Sequence, residues 1–241
     1  VSGIVAARVI PRTLEIMDRG AIEAVDSFRP TGLPTDVEAL LLIELDGHPR
    51  AIEDEAQKVV EACEHEGARV EMAADDESRQ RLWNARRSVS PALHHTGLKK
   101  INEDIVVPRN KMAPMLGFLQ KLSADSGIRI VSFGHAGDGN IHVNIMPPPD
   151  DAEKIRQARG LVREMFRKVL ELGGTISGEH GVGLTKAEYI DMEVPPRELG
   201  LMRDIKKLFD PGNILNPGKI FPAPGKATSA VEEAKKGAAG S

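Results

Sequence analysis

The chain is poor in cysteine and in aromatic side chains, and both shortages restrict what the protein can be. It has one cysteine among 241 residues, so no disulfide forms within the chain, and the lone thiol of Cys63 fits the reducing cytoplasm. Aromatic residues make up 3% of the sequence, and no basic stretch is interleaved with them, which argues against nucleic-acid binding. Every apolar run is shorter than the ~20 residues of a membrane-spanning helix. We therefore expect a cytoplasmic protein without a membrane span.

The remaining composition is that of a globular protein, with 41% hydrophobic residues, 28% charged residues and a net charge of −4. Apolar periodicity and turn residues predict strands over 39–47, 68–73, 101–108, 128–135, 140–146 and 175–181. The same signals predict helices over 12–27, 49–67, 75–95 (broken or ended near Pro91), 109–127, 150–174 and 196–209. From 101 to 181 the order is β-α-β-β-α-β, a ferredoxin-like split βαβ unit. We therefore predict an α+β fold with a mostly antiparallel sheet and helices packed on it.

The stretch SFGHAGDGNIHVNI places two histidines where two predicted strands meet. Fully extended, the chain would hold His135 and His142 ~23 Å apart, so they can share one small ligand only if it reverses between them. AGDGN has the glycine, aspartate and asparagine residues that such a turn requires. Asn144 lies two residues after His142 and so projects from the same face of the sheet. The pattern indicates a metal or substrate site, and the alternative is a polar hairpin with surface histidines.

A second loop, GGTISGEHGVG, carries an adjacent acid and histidine. Glu179 could serve as an anionic metal ligand and His180 as a proton acceptor. Two histidines and one carboxylate with an open coordination position are a recurring arrangement for catalytic zinc, and they also resemble a ligand set for iron. The alternative is a phosphate-type glycine loop or the end of a helix followed by a turn. We expect the loop to end the next strand of the same sheet, which would let the four side chains converge.

Basic side chains near the middle of the chain are candidates for binding a carboxylate. Arg86 and Ser90 are four residues apart in a predicted helix and so share a face, and a guanidinium can grip a carboxylate through its planar fork. Lys100, just before a predicted strand, is a further candidate cation. The alternative for both cations is an ordinary solvated surface.

Taken together, GHAGDGNIHVNI, GGTISGEHGVG, LWNARRSVSPAL, KINEDIVVP and LFDPGNILNPGKIF resemble the C-terminal half of FAD-linked oxidoreductases of the vanillyl-alcohol-oxidase type. Within that superfamily the chain is similar to the group of D-lactate dehydrogenases, glycolate oxidase flavoprotein subunits and D-2-hydroxyglutarate dehydrogenases. The resemblance extends from about Pro11 to Phe221, which is most of the chain.

The resemblance implies oxidation of a D-2-hydroxy acid to the 2-oxo acid, with hydride transfer to FAD and metal-assisted deprotonation of the hydroxyl group. It assigns a divalent metal, expected to be zinc, to His135, His142 and Glu179, and the base to His180. The expected substrate contacts are Arg86, Ser90, Asn144 and, with a poorer alignment, Lys100. Asn216, in the NPGK segment 216–219, is the expected contact with the flavin.

The family's glycine-rich FAD-binding domain has no counterpart in this sequence, and the chain starts with Val1 rather than Met. We therefore expect residues 1–222 to be a substrate (cap) domain separated from its FAD domain and inactive alone, followed by a low-complexity, disordered tail at 223–241. Expected partners are a small 2-hydroxy acid, the FAD domain, an electron acceptor protein or quinone, and a second copy of the chain in a homodimer. Competing functions are a metal-dependent hydrolase and a ferredoxin-like binding domain without catalytic activity.

Overall fold

A computed structural model describes residues 1–221. These residues form two compact units, Val1–Gly174 and a second that begins at Thr175. The predicted substrate domain, 1–222, includes the whole first unit and continues into the second, and its limits stay a prediction. The tail predicted over 223–241 lies outside the described residues.

Among residues 1–221, the first unit holds every strand and six of the helices. The strands are Thr13–Asp18 (β1), Ala39–Glu44 (β2), Ile101–Val106 (β3), Arg129–His135 (β4) and Asn140–Met146 (β5). The helices are Ser2–Ala6 (α1), Arg19–Phe28 (α2), Pro49–His65 (α3), Asp76–His95 (α4), Met112–Ser126 (α5) and Ala152–Glu171 (α6). A 3-10 turn, Arg109–Lys111, precedes α5. The second unit contains a 3-10 turn, Ile190–Met192, and the helix Pro196–Phe209 (α7).

The strands form one sheet in the order β2-β1-β4-β5-β3, and every neighbouring pair is antiparallel. This confirms the predicted α+β class with a mostly antiparallel sheet. The elements β3, α5, β4, β5 and α6 follow the expected split βαβ order, with β5 between β3 and β4. The predicted final strand, 175–181, is wrong, because apart from a bridge at Thr175 this glycine-rich segment forms bends and irregular loop. The sheet is extended beyond β4 by β1 instead.

The two faces of the sheet carry different side chains: one holds the candidate site residues, and the other holds the buried apolar residues of β5. On one face, the in-register pairs Glu15–His135 and Phe133–His142 bring polar and aromatic side chains together. Apolar residues of β1 and β4 on this face pack against α2 and α4 in one buried cluster. On the opposite face, Ile141 and Val143 are fully buried, and α5 and α6 pack on that side of β3, β4 and β5. Candidate site residues and core residues thus alternate along the same strands.

Three further predictions differ from the structure. Residues 12–27 are not helical throughout: β1 comes first, and the carboxylate of Asp18 accepts the Ala21 N–H at 2.8 Å, capping α2. Residues 68–73 form no strand. Pro91 does not end α4, which continues to His95. Burial of apolar side chains on both sides of Pro91 stabilises the continuous helix despite the missing backbone hydrogen bond.

Candidate functional site

The hairpin between β4 and β5 places the two histidines beside one another. The turn at 136–139 requires glycine at its last position, since Gly139 has φ +86° and a Cβ there would lie 2.0 Å from the Val107 carbonyl oxygen. The ring centroids of His135 and His142 are 5.3 Å apart, and the rings are nearly perpendicular at 86°. The sequence prediction that a tight reversal brings these histidines together is therefore confirmed.

The ring of His142 is largely buried and packs against Phe133, with centroids 5.3 Å apart. Its neighbours in β5 point to the opposite face, so the imidazole position is set by the strand and by Phe133. Asp104 of β3 is the in-register partner of His142 and is also fully buried. His135 is more open, with its side chain 39% exposed. A ligand could therefore approach this histidine pair from the side of His135.

Glu15, on β1, connects His135 to an arginine and is not among the site residues predicted from the sequence. One carboxylate oxygen, Oε1, lies 2.6 Å from Nδ1 of His135. The other, Oε2, accepts from Nε and Nη2 of Arg86 at 2.9 and 2.7 Å. The side chains of Glu15 and Arg86 are only 10% and 12% exposed, so this ion pair is shielded from water. The alternation Leu14, Glu15, Ile16 is the sequence signal for a strand here, but the apolar spacing of the same segment also predicts a helix over 12–27.

Arg86 lies on α4, as predicted, and its guanidinium carbon is 4.8 Å from the centroid of the Phe133 ring. The solvated-face alternative is therefore wrong for Arg86. Two of its five N–H donors are bound to Glu15, and the guanidinium stacks on the aromatic ring that also contacts His142. The arginine and the histidine pair thus share one face of the sheet.

Ser90 and Lys100 are joined to each other near the same helix. The Lys100 ammonium donates to the Ser90 hydroxyl at 3.2 Å, and burial lowers the pKa of Lys100. A lysine whose charged form is disfavoured by burial gains stabilisation from an approaching anion. Lys100, whose alignment with the family is poorer, is therefore hydrogen-bonded to Ser90, another predicted substrate-binding residue.

Two asparagines of β5 have buried amide atoms without hydrogen-bond partners among the described residues. The amide nitrogen of Asn144 donates to the Val131 carbonyl at 3.3 Å, whereas its Oδ1 is unpaired. Both amide atoms of Asn140 are unpaired. Such buried polar groups destabilise a fold unless a ligand or water binds them. Asn140 is a second polar residue absent from the predicted site, although it lies inside the same motif.

Glu179, His180 and Asn216 belong to the second unit. Oε1 of Glu179 lies 3.7 Å from Nε2 of His180, and the two side chains are about half exposed. Asn216 has a positive φ of 50°, and its side-chain oxygen accepts from Lys219 at 2.9 Å. The expectation that Glu179 and His180 follow a strand of the sheet is wrong, because no such strand forms. Their metal-binding and proton-accepting functions stay predictions, as does flavin contact by Asn216.

A family model, a glycolate oxidase subunit and a D-lactate dehydrogenase match this chain, and all are FAD-linked or 2-hydroxy-acid oxidoreductases. Residues 1–220 match the family model described as FAD linked oxidases, C-terminal domain. The glycolate oxidase subunit GlcD of Bacillus subtilis is 40% identical over 225 residues, covering 92% of this chain and 47% of that protein. A D-lactate dehydrogenase of Anaerostipes hadrus is 33% identical, covering 87% and 46%. The chain thus spans about half the length of these curated relatives.

A solved structure supports the fold. The 4-ethylphenol oxidase from Gulosibacter chungangensis, solved with isoeugenol, aligns with a TM-score of 0.61 at 17% identity, covering 87% of this chain and 47% of that one. At this identity the likeness concerns the fold alone. Within residues 1–221, no helix is both long and apolar enough to cross a membrane.

Proposed function

The chain belongs to the family of FAD linked oxidases, C-terminal domain, and from that premise we propose that it is the substrate-binding part of a flavin-dependent oxidoreductase. Its substrate would be a small D-2-hydroxy acid of the lactate, glycolate or 2-hydroxyglutarate type, oxidised to the 2-oxo acid. One observation carries this proposal: a pair of histidines and a shielded arginine lie on one face of the sheet around the same Phe133 ring. Nothing in the described residues favours the hydrolase or the binding domain over this function.

The proposed substrate has two oxygen-bearing groups on adjacent carbons, and the site offers a different set of side chains for each. Arg86 keeps three N–H donors beyond the two bound to Glu15, and Lys100 adds an ammonium held by Ser90. These cations would bind the carboxylate, since charge-assisted hydrogen bonds are the strongest that a protein offers it. Oδ1 of Asn144 would accept a hydrogen bond from the substrate or from a water molecule beside it.

His135, His142 and Glu179 would hold a divalent metal ion, and zinc fits this donor set. Two neutral imidazoles and a carboxylate are the ligands of many catalytic zinc sites, and the rings of His135 and His142 already lie side by side on the sheet. The hydrogen bond between Nδ1 of His135 and Glu15 leaves Nε2 as the nitrogen available for a metal. A metal ion bound there would act as a Lewis acid that makes the substrate hydroxyl more acidic.

In the proposed reaction an imidazole nitrogen of His180 accepts the hydroxyl proton. The O–H and α-C–H bonds break, a C=O bond forms, and the α-hydrogen leaves as hydride. The FAD that the family description implies would supply the acceptor for that hydride. Arg86 and Lys100 keep the carboxylate fixed, so that the hydroxyl and the α-hydrogen face their acceptors. Electrons would then pass to an acceptor protein or a quinone.

The flavin itself would bind to a separate FAD-binding domain, and the second unit offers a surface for it. Four large apolar side chains on α7 are exposed by half or more: Leu201, Ile205, Leu208 and Phe209. Their spacing of four, three and one residues places them on one side of the helix. Exposed apolar stripes of this kind mark interaction sites. Because the relatives are about twice as long as this chain, we propose that their remaining half supplies the domain that covers α7.

Anaerobic flavin reduction tests the proposed function. The protein containing both this chain and its FAD-binding domain is mixed with D-lactate, glycolate or D-2-hydroxyglutarate, and the visible flavin absorbance is followed. We expect at least one of these acids to bleach the flavin. If none does, while dithionite still reduces the flavin, the proposed reaction is contradicted.

Metal content tests the ligand set independently of activity. Chelator-free protein prepared without the FAD-binding domain is measured by mass spectrometry, wild type against His142→Ala. We expect near-stoichiometric uptake of zinc in the wild type and its loss in the variant, because a zinc site with two remaining ligands is weak. Equal zinc uptake by both proteins would rule out His142 as a ligand.

A further inference from the structure

We infer that Glu15 is a positioning residue that acts through both His135 and Arg86: it fixes the tautomer of the imidazole and the orientation of the guanidinium. The part of this inference that concerns metal affinity rests on the proposed function, whereas the part that concerns the tautomer does not. Neither the family model nor the relatives' descriptions assign this residue a function.

The backbone accounts for the position of Glu15. Glu15 and His135 are directly opposite one another in the antiparallel pair β1–β4, so their side chains leave the same face of the sheet side by side. Glu15 lies in a strand with hydrogen-bonded neighbours on both edges. The carboxylate is therefore held by two strand ladders rather than by a loop.

The two carboxylate oxygens have separate partners. Oε1 contacts His135 and Oε2 contacts Arg86. Because the oxygens lie in one rigid plane, the carboxylate sets the position of the imidazole relative to the guanidinium. Phe133, beneath the guanidinium at 4.8 Å, supports this arrangement from the side of the sheet. Substrate carboxylate and metal would thus be placed relative to one another by a single side chain.

The chemistry of the carboxylate selects the tautomer of His135. An ionised carboxylate only accepts hydrogen bonds, so the 2.6 Å contact requires the proton on Nδ1. A neutral imidazole carries one N–H, and Nε2 then has a free lone pair, which is the form that binds a metal. A carboxylate behind a metal-binding histidine is a general way of fixing its orientation and raising its basicity.

Replacement of Glu15 by glutamine gives a specific expectation. Glutamine has one carbonyl oxygen, which the charged Arg86 would retain as its acceptor. The amide N–H₂ would then face Nδ1 of His135 and donate to it. The imidazole proton would move to Nε2, the nitrogen needed for the metal.

The first test measures the tautomer by NMR on metal-free protein. Nitrogen-15 shifts of the His135 ring are recorded in the wild type and in Glu15→Gln, with His135→Ala used for assignment. We expect the proton on Nδ1 in the wild type and on Nε2 in the variant. A wild type with the proton on Nε2 overturns the inference, and this measurement decides it even if Glu15→Gln fails to fold.

The second test measures zinc affinity by competition with a chromophoric chelator. We expect Glu15→Gln to bind zinc roughly 10- to 100-fold more weakly than the wild type. Glu44→Gln is the matched control, since Glu44 lies in the same sheet and accepts from Trp83 at 2.6 Å and from Arg79, with no histidine on its carboxylate. Equal affinity of Glu15→Gln and the wild type overturns the inference. Absence of zinc binding in the wild type would instead contradict the proposed metal site, and the tautomer measurement would then decide the case of Glu15.

Discussion

Arg86 is already paired with Glu15 before any substrate is present. This pairing determines how much substrate binding is expected to weaken when Arg86 is replaced. The pair with Glu15 is shielded from solvent, so part of the guanidinium charge is neutralised within the protein. The three remaining donors still provide direction, because the planar group is held by Glu15 and by Phe133. Recognition of the substrate carboxylate is therefore expected to depend on geometry as much as on charge.

We expect Arg86→Ala, in the protein that includes the FAD-binding domain, to raise KM for 2-hydroxy acids and to lower kcat/KM by roughly 10- to 150-fold. This range corresponds to the ~1.5–3 kcal/mol of a hydrogen bond to a charged group. Steady-state kinetics measure it. Arg79→Ala is the control, since Arg79 pairs with Asp76 and Glu44 on a more exposed surface. Unchanged kcat/KM in Arg86→Ala would place the carboxylate-binding group elsewhere.

Asp18, like Glu15, is a buried acid of β1. Its carboxyl group has a pKa of about 6, within the pH range in which the folded protein can be studied. Burial raises its pKa from 3.8 to about 6, against the backbone hydrogen bonds from Ala21 and Ser132, which lower it. The folded protein therefore holds this proton more tightly than the unfolded chain does. The resulting stabilisation is fully present below pH 3.8 and is lost as the pH rises through about 6.

Urea unfolding of the wild type and Asp18→Asn across this pH range measures the effect. We subtract the unfolding free energy of the variant from that of the wild type. This difference is expected to fall by about 3 kcal/mol as the pH rises from below 3.8 to above about 6. Asparagine has no charge to gain, so the variant lacks this contribution. A difference that stays constant with pH would show that Asp18 titrates normally in the folded protein.

Among the elements, the β4–β5 hairpin was the most predictable from sequence. Its signals are local: alternating apolar residues in each strand and a glycine-aspartate-glycine-asparagine turn between them. The helices α3, α4, α6 and α7 were likewise predicted within a few residues, because each carries a clear apolar periodicity. The pairing of His135 with His142 follows from the hairpin alone.

The strand β1 was not predictable in the same way, because the spacing of its apolar residues is compatible with a helix as well as with a strand. Leu14 and Met17 are three residues apart, as on a helix face, while Leu14 and Ile16 alternate as in a strand. Burial on both faces of the sheet removes the polar alternation that usually distinguishes the two. Glu15 was missed for this reason, and its partner His135 is 120 positions away, beyond any local pattern.

The turn of the hairpin offers a test at the level of the element. We expect Gly139→Ala to lower the unfolding free energy by more than about 2 kcal/mol, because φ is +86° and the new Cβ would meet the Val107 carbonyl oxygen. Gly160→Ala is the control: it lies in α6 with no heavy atom near the new Cβ, and it should stabilise the protein by about 1 kcal/mol. Chemical denaturation measures the unfolding free energy of both variants. Equal changes in the two would contradict a close approach between a Cβ at position 139 and the Val107 carbonyl oxygen.

At the scale of the whole molecule, the exposed apolar stripe of α7 is the surface that we propose contacts the FAD-binding domain. Nothing tests the predicted homodimer or the cytoplasmic location, and both stay predictions. The proposed FAD-binding domain would make the stripe a buried interface, whose central side chains carry most of the binding energy.

We expect Leu208→Glu to weaken association of this chain with a separately expressed FAD-binding domain by at least about tenfold. A carboxylate in the middle of an apolar interface loses its hydration without gaining a partner. Titration calorimetry measures the affinity. Met72→Glu is the control, because Met72 is similarly exposed at 66% but belongs to the first unit. An unchanged affinity for Leu208→Glu would show that α7 is not the interface.

The separation of β1 from β4 along the chain has a consequence for synthesis. The ribosome makes β1 before β4, and until β4 appears β1 has only β2 as a neighbour in the sheet. An unpaired strand edge is a template for intermolecular pairing, and contacts this distant in sequence form slowly. A fragment that ends before Arg129 would therefore expose β1 permanently. Truncating the protein to isolate part of the site would yield aggregates, since the strand that carries Glu15 is paired on both edges only once β4 has been translated.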